Sequence, residues 1–260
     1  MTRTASESMI RLDPDLAAVI RPLLLDLQRT LGDHLVAVWL TGSAATGSFT
    51  AGISDLDLVV VTRSPISALD LAALERVHRR VVQRDRAWEH RLEVVYVATR
   101  TLAELRRDDA LAVVSPGEPF HVTGPASDWL QNWYLVREGG IALHGPGPDA
   151  VIPAIGEPEF HASIRRYLAY LRQREPSGYA VLSACRSLRV LETGVHGSKE
   201  AAVSWCRTRL PEWASLVDAA WTDRQAPRAK GFADPGTRDA AGKFVRVVAS
   251  EAGLEEPPAT

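Results

Sequence analysis

Two aspartates one residue apart, Asp55 and Asp57, follow a glycine–serine turn at Gly42-Ser43, with eleven residues between Ser43 and Asp55. Side chains alternate faces along an extended chain, so the two carboxylates point the same way. Like charges that close repel and raise each other's pKa unless a cation sits between them. Paired hard oxygens suit Mg²⁺, which shares its shell with waters and substrate phosphates. A D-x-D pair serves equally as a plain solvated strand face, and the upstream turn is what separates the two readings here. Gly42 suits a tight strand-to-loop turn where a side chain would block close approach. Ser43 and the small residues at 44–47 open a short helix whose first N–H groups face an anion.

Glu93 is the third acidic candidate, at the start of the apolar run Leu92-Glu93-Val94-Val95-Tyr96-Val97. A carboxylate in such a run faces solvent, a partner or a metal, because burying an unpaired charge is costly. If its strand neighbours that of Asp57, Glu93 completes a three-carboxylate cluster, ligating metal or taking a proton from a hydroxyl nucleophile. The reaction that fits is nucleotidyl transfer, in which metal ions bind a triphosphate and neutralise the leaving pyrophosphate.

The elements that must position these groups follow from periodicity. Residues 13–31 are apolar at helical spacing, with Asp13 as N-cap, Pro14 at the first helical position and Gly32 as the stop. Runs at 36–40, 56–61 and 92–97 read as strands. A helix at about 67–86 separates the last two, and Thr101 to Glu104 has the form of a capping box. The order is α-β-turn-β-α-β around a small mixed sheet, an α/β domain. After a Pro- and Gly-rich stretch at 115–125 the strand signal stops. Helices are expected at 128–142, 159–174, 179–193, 198–209, 212–221 and 237–251, a C-terminal all-α bundle. The expected division is 1–115, a connecting segment with a first helix at 116–158, the helical domain at 159–254 and a disordered tail at 255–260. A cleft between two such domains is a common place for a small-molecule site.

Bulk properties narrow the classes. The 260 residues are 46% hydrophobic and 24% charged, with a net charge of −2, an ordinary globular profile with no basic field for nucleic acid. The first eight residues are polar, and no apolar run approaches the roughly 20 residues that span a bilayer. The expectation is a cytoplasmic monomer with no nucleic-acid or membrane partner. Cys185 and Cys206 read as buried reduced thiols, without zinc-site spacing. Trp129, Trp133, Trp205, Trp213 and Trp221 sit at helical spacing and read as core. The arginines at 79, 80, 84 and 86 read as the solvated face of an amphipathic helix.

Gly42-Ser43 followed by Asp55-Leu56-Asp57 resembles the signature of the DNA polymerase β-like nucleotidyltransferases. Residues 129–146 (WLQNWYLVREGGIALHGP) and 179–211 (YAVLSACRSLRVLETGVHGSKEAAVSWCRTRLP) resemble the helical domain of the aminoglycoside adenylyltransferases that modify streptomycin and spectinomycin. The resemblance covers nearly the whole chain. It implies a nucleotidyltransferase domain and a helical bundle with ATP and acceptor in the cleft. It implies two Mg²⁺ on Asp55 and Asp57, and Glu93 as base. Ser43 and Ser54 would contact the nucleotide phosphates, Lys199 would reach the triphosphate, and Arg186 matches a nearby family arginine.

Two departures bear on the acceptor. Streptomycin-accepting members carry a tryptophan where this chain has Pro119-Phe120-His121-Val122-Thr123. Their acidic loop before the next helix is here the short Glu175-Pro176-Ser177-Gly178, with one acid. The resemblance therefore implies an aminocyclitol or aminoglycoside acceptor nearer spectinomycin than streptomycin, chosen by side chains at 120–124 and 175–179. The alternatives are the same chemistry on a non-antibiotic metabolite or protein, and a non-catalytic nucleotide-binding or antitoxin-like module.

Overall fold

The computed structural model describes residues 14–106, 109–116, 118–123, 129–226 and 231–255. The expected cap at Asp13, the polar stretch 1–8, the helix start at Asp128, the acceptor-stretch residue Gly124 and the tail at 256–260 lie outside them. The chain forms two compact units, residues 1–155 and 156–260.

In the first unit, helix α1 (Pro14–Leu31) leads into β1 (Leu35–Leu40), the one-turn helix α2 (Gly42–Ala45) and β2 (Leu56–Thr62). Helix α3 (Ala68–Arg84) crosses over to β3 (Leu92–Ala98), followed by α4 (Thr99–Ala103), β4 (Ala112–Val114), β5 (His121–Val122), α5 (Leu130–Gly139) and β6 (Ile141–His144). The six strands run in the order β5-β4-β3-β2-β1-β6. Among the described residues only β2 and β3 pair in parallel, the pair that a crossover helix permits. One sheet face, with Leu56, Leu58, Val60, Leu92, Val94 and Tyr96, joins a core with Ile20, Leu23 and Leu27 of α1, and with Leu74 and Val77 of α3. The mixed sheet and the α/β class are as expected.

Three local expectations need correcting. The Pro- and Gly-rich stretch at 115–125 is not all loop, since β5 falls inside it, and strands do not stop beyond it, since β6 replaces the end of the helix expected to reach 142. At two to four residues these strands, and β4, are too short to show a period. Thr101 caps nothing. It lies inside α4, whose N-cap is Ala98, and its hydroxyl donates to Asp109 Oδ2 at 2.6 Å. The arginine face is not merely solvated. Arg80 Nε and Arg84 Nη2 reach the buried Asp26 of α1 at 3.3 and 3.0 Å, tying α3 to α1.

The second unit contains α6 (Glu157–Arg172), α7 (Gly178–Thr193), α8 (Lys199–Arg209), α9 (Ala214–Gln225) and α10 (Pro235–Glu251). Ser177 and Ser198 cap α7 and α8, each accepting from an N–H three residues on. The core gathers Leu168, Val181, Leu188, Val203, Val217 and Phe244, with Trp205, Trp213 and Trp221 packed at its margin. Cys185 and Cys206 are buried and free, as expected. Among the described residues no helix is long and apolar enough to cross a membrane.

Candidate active site

The site begins with strand register. Asp57 of β2 is the direct partner of Glu93 on β3, on strands about 4.8 Å apart. Both lie on the face opposite the core shared with α1 and α3, because their neighbours Leu56, Leu58, Leu92 and Val94 fill that core. Asp57 and Glu93 are half-buried, as is Asp55 one residue before β2. The alternation that buries the leucines and valines is what turns the acids together.

The glycine turn closes on this pair. The Thr41 N–H donates to the Asp57 carbonyl at 2.9 Å. Gly42 adopts φ +61°, and a Cβ there would lie 1.8 Å from Asp57 Oδ2. The Asp57 carboxylate thus occupies the space that any side chain at 42 would take. Ser43, half-buried, sits in the single turn of α2, whose first N–H groups have no partner one turn back.

Ser54 is placed differently from Ser43. It is 2% exposed, and its Oγ accepts from the Thr50 N–H at 3.0 Å, closing the loop that delivers Asp55. Arg91 completes that support and went unnoticed in the sequence. Its Nη2 donates to the Ser54 carbonyl, its own carbonyl accepts from Leu56 N at 2.8 Å, and its guanidinium lies 4.8 Å over the Trp88 ring. Trp88 in turn stacks on Phe49 at 6.5 Å. No spacing rule flags an arginine just before a strand, so only the folded loop reveals it.

Among the described residues, no three of His, Cys, Asp and Glu are gathered closely enough to hold a metal ion by themselves. The carboxylates share one site without closing into a cage. That suits Mg²⁺, which takes one or two carboxylates and completes its shell from substrate phosphates and water. The donors are all hard oxygens, and the missing side chain at Gly42 gives the Asp57 carboxylate its place, so the residues present fit the ion.

Phe120, expected to face an acceptor, packs its ring against His78 and Tyr96, each at 5.6 Å between centroids. His78 Nε2 and the Tyr96 hydroxyl are 2.7 Å apart, both buried. Burial lowers the His78 pKa to about 4, so the imidazole is neutral at pH 7.

In the second unit, Lys199 is the first residue of α8 and Arg186 lies on α7, both half-buried. The Lys199 Nζ lies 5.6 Å over the Tyr179 ring. Tyr179 also lines a cavity of about 700 Å³, with Tyr170, Arg174, Glu175, Phe232 and Arg238 among others. It contains the expected 175–179 stretch and, as charges, one carboxylate and two guanidiniums.

A parallel acid pair beside a glycine turn, on a mixed sheet, defines a nucleotidyltransferase, and residues 21–109 match the sequence profile of the nucleotidyltransferase domain. Residues 150–250 match the C-terminal domain of aminoglycoside adenylyltransferases. With both regions in this order, the chain belongs to the aminoglycoside adenylyltransferase family and is an enzyme of adenylyl transfer. Its fold is similar to that of a spectinomycin adenyltransferase from Enterococcus faecialis, solved with ATP and spectinomycin. That match has a TM-score of 0.73 at 15% identity, covering 91% of this chain and 98% of the other. No curated protein matches by sequence.

Proposed function

We infer that this enzyme transfers AMP from ATP to a hydroxyl of an aminocyclitol antibiotic, with a spectinomycin-like acceptor favoured over streptomycin. The observation that carries the chemistry is the Asp57–Glu93 register beside Gly42. Glu93 takes the proton of the acceptor hydroxyl as its oxygen bonds to the α-phosphorus and the bond to pyrophosphate breaks. Asp55 and Asp57, with Glu93 sharing, would hold two Mg²⁺, which when bound neutralise charge on the triphosphate. Ser43, Ser54 and the backbone at Gly42 belong to the nucleotide side of the site, and Arg186 and Lys199 supply its cations. The arrangement is read as a cytoplasmic monomer's.

The acceptor reading rests on the second unit. A stretch with one carboxylate, Glu175, among Arg174 and Arg238 disfavours a polycationic acceptor, since like charges brought together are costly. The test is pyrophosphate release from ATP with Mg²⁺ and, separately, spectinomycin, streptomycin or no acceptor. Release with spectinomycin alone, lost on chelation, is the expected result. Equal release with streptomycin would overturn the acceptor, and no release with either antibiotic would favour the same chemistry on a non-antibiotic acceptor.

A further inference from the structure

Of the three acids of the site, Asp55 alone stands outside the strand ladder. Asp57 and Glu93 are paired residues of β2 and β3, whereas the pairing begins at Leu56 with Leu92. The position of Asp55 needs another cause, and Arg91 supplies it. The peptide before Asp55 carries the Ser54 carbonyl, which accepts from Arg91 Nη2. The peptide after Asp55 carries the Leu56 N–H, which donates to the Arg91 carbonyl at 2.8 Å. Each peptide unit is planar, so a bond at one end constrains the whole plane. Both planes that flank the Asp55 Cα therefore end on one residue, two positions before Glu93. Arg91 is itself held. Its own N–H donates to the Trp88 carbonyl at 3.1 Å, closing a turn in which His90 takes φ +61°. That region is uncommon for a residue with a side chain. The turn brings the guanidinium back over the Trp88 ring, and Nη1 donates to the Ala87 carbonyl at 3.2 Å. Trp88 belongs to the core and stacks on Phe49, at the far end of the loop that leads to Asp55.

We propose that Arg91 is a positioning residue for metal binding, fixing the backbone on both sides of Asp55 so that its carboxylate meets the same ion as Asp57. This rests on the reading of Asp55 as a Mg²⁺ ligand. Mg²⁺ demands near-ideal octahedral geometry, so a ligand whose backbone wanders holds it poorly. Residues that orient a metal ligand typically carry about 10- to 100-fold of metal affinity or activity. A guanidinium suits the task better than an ammonium. Its fork of donors serves the Ser54 and Ala87 carbonyls at once while the group packs on a ring, whereas an ammonium is a point charge on a flexible stem. Because Arg91 leads directly into β3, the same bonds tie Asp55 to the strand that carries Glu93.

The test is calorimetric titration of the full chain with ATP and no acceptor, once with Mg²⁺ and once with a chelator. Arg91→Met keeps an apolar stem over Trp88 and removes the donors. It should weaken Mg²⁺-loaded ATP about tenfold or more and leave metal-free ATP unchanged, with the fold retained by circular dichroism. Arg91→Lys, which keeps one donor, should lose about two- to fivefold, the size of one hydrogen bond. Asp55→Ala should weaken Mg²⁺-loaded ATP at least as much as Arg91→Met does. Adding Arg91→Met to it should change nothing further, because the arginine acts through the aspartate. Equal loss with and without Mg²⁺ marks a merely structural role and overturns the proposal. Wild-type affinity in Arg91→Met beside a weakened Asp55→Ala overturns it too, as does wild-type affinity in Arg91→Lys should Arg91→Met not fold. Wild-type affinity in Asp55→Ala overturns the metal reading of Asp55 and the proposal with it.

Discussion

The two units hold their polar groups in opposite ways. In the first, Asp57 and Glu93 are set by strand register, so the hydrogen bonds that make the sheet also place the acids. The support continues inward, through Gly42 against Asp57 and Arg91 against the loop of Asp55. In the second, Lys199 and Arg186 sit on helices, where side-chain packing and not strand register sets the position of the charged group, as where the Lys199 ammonium lies over the Tyr179 ring. A sheet site is therefore stiff and intolerant of small insertions, whereas a helix-surface site is adjustable and softened by degrees. The first can set reacting groups within the narrow tolerance that chemistry demands.

The largest expected loss lies in the sheet. Glu93→Gln should lower the rate of pyrophosphate release by about two to four orders of magnitude, the usual contribution of a general base, and Asp57→Ala at least as much, while melting stays near wild type. Full activity in either variant would break the contrast, because the stiff unit would then not be the seat of the chemistry. Gly42→Ala comes next. The new methyl must displace the Asp57 carboxylate, and a misplacement of about 1 Å can cost a hundredfold; circular dichroism should show the fold retained.

The first unit carries a buried group that responds to acid. His78 is neutral in the fold, with a pKa near 4 against an ordinary value of 6.5. The unfolded chain binds this proton first, so stability from this group is complete above the ordinary value and is lost as pH falls toward about 4. Melting followed from pH 7 to pH 4 should show the first unit weakening through this window, and His78→Gln should flatten the slope. Asp26 adds a smaller effect. Burial works to raise its pKa, but the hydrogen bonds and charges of Arg80 and Arg84 outweigh it and hold it below the ordinary value. Its contribution is present above the unfolded pKa and fades as pH falls through the folded one. Asp26→Asn should cost about 1 to 2 kcal/mol at neutral pH, allowing for the exposure of both arginines, measured by urea unfolding.

Much of the first unit was legible because its signals are local. The β2 and β3 runs, the α3 helix, and the spacing of Gly42, Asp55, Asp57 and Glu93 can all be read from alternation and turn chemistry. Strands β4, β5 and β6 were not, because two to four residues acquire strand geometry only from the neighbours they pair with. Phe120 looked like an acceptor-facing ring on its position alone, yet the His78–Tyr96 pair supplies it with an inward partner.

By itself the sequence determined the class of chemistry, since carboxylates at period two beside a glycine turn leave few other uses, and the helical character of the second unit, since period 3.6 is a local property. Only the tertiary structure decided that Asp57 faces Glu93, that Asp57 fills the space left by Gly42, that Arg91 braces the loop of Asp55, and that Tyr179 underlies Lys199. Each joins residues distant along the chain or on different elements, and such a contact is set by the packing of whole elements rather than by any local preference.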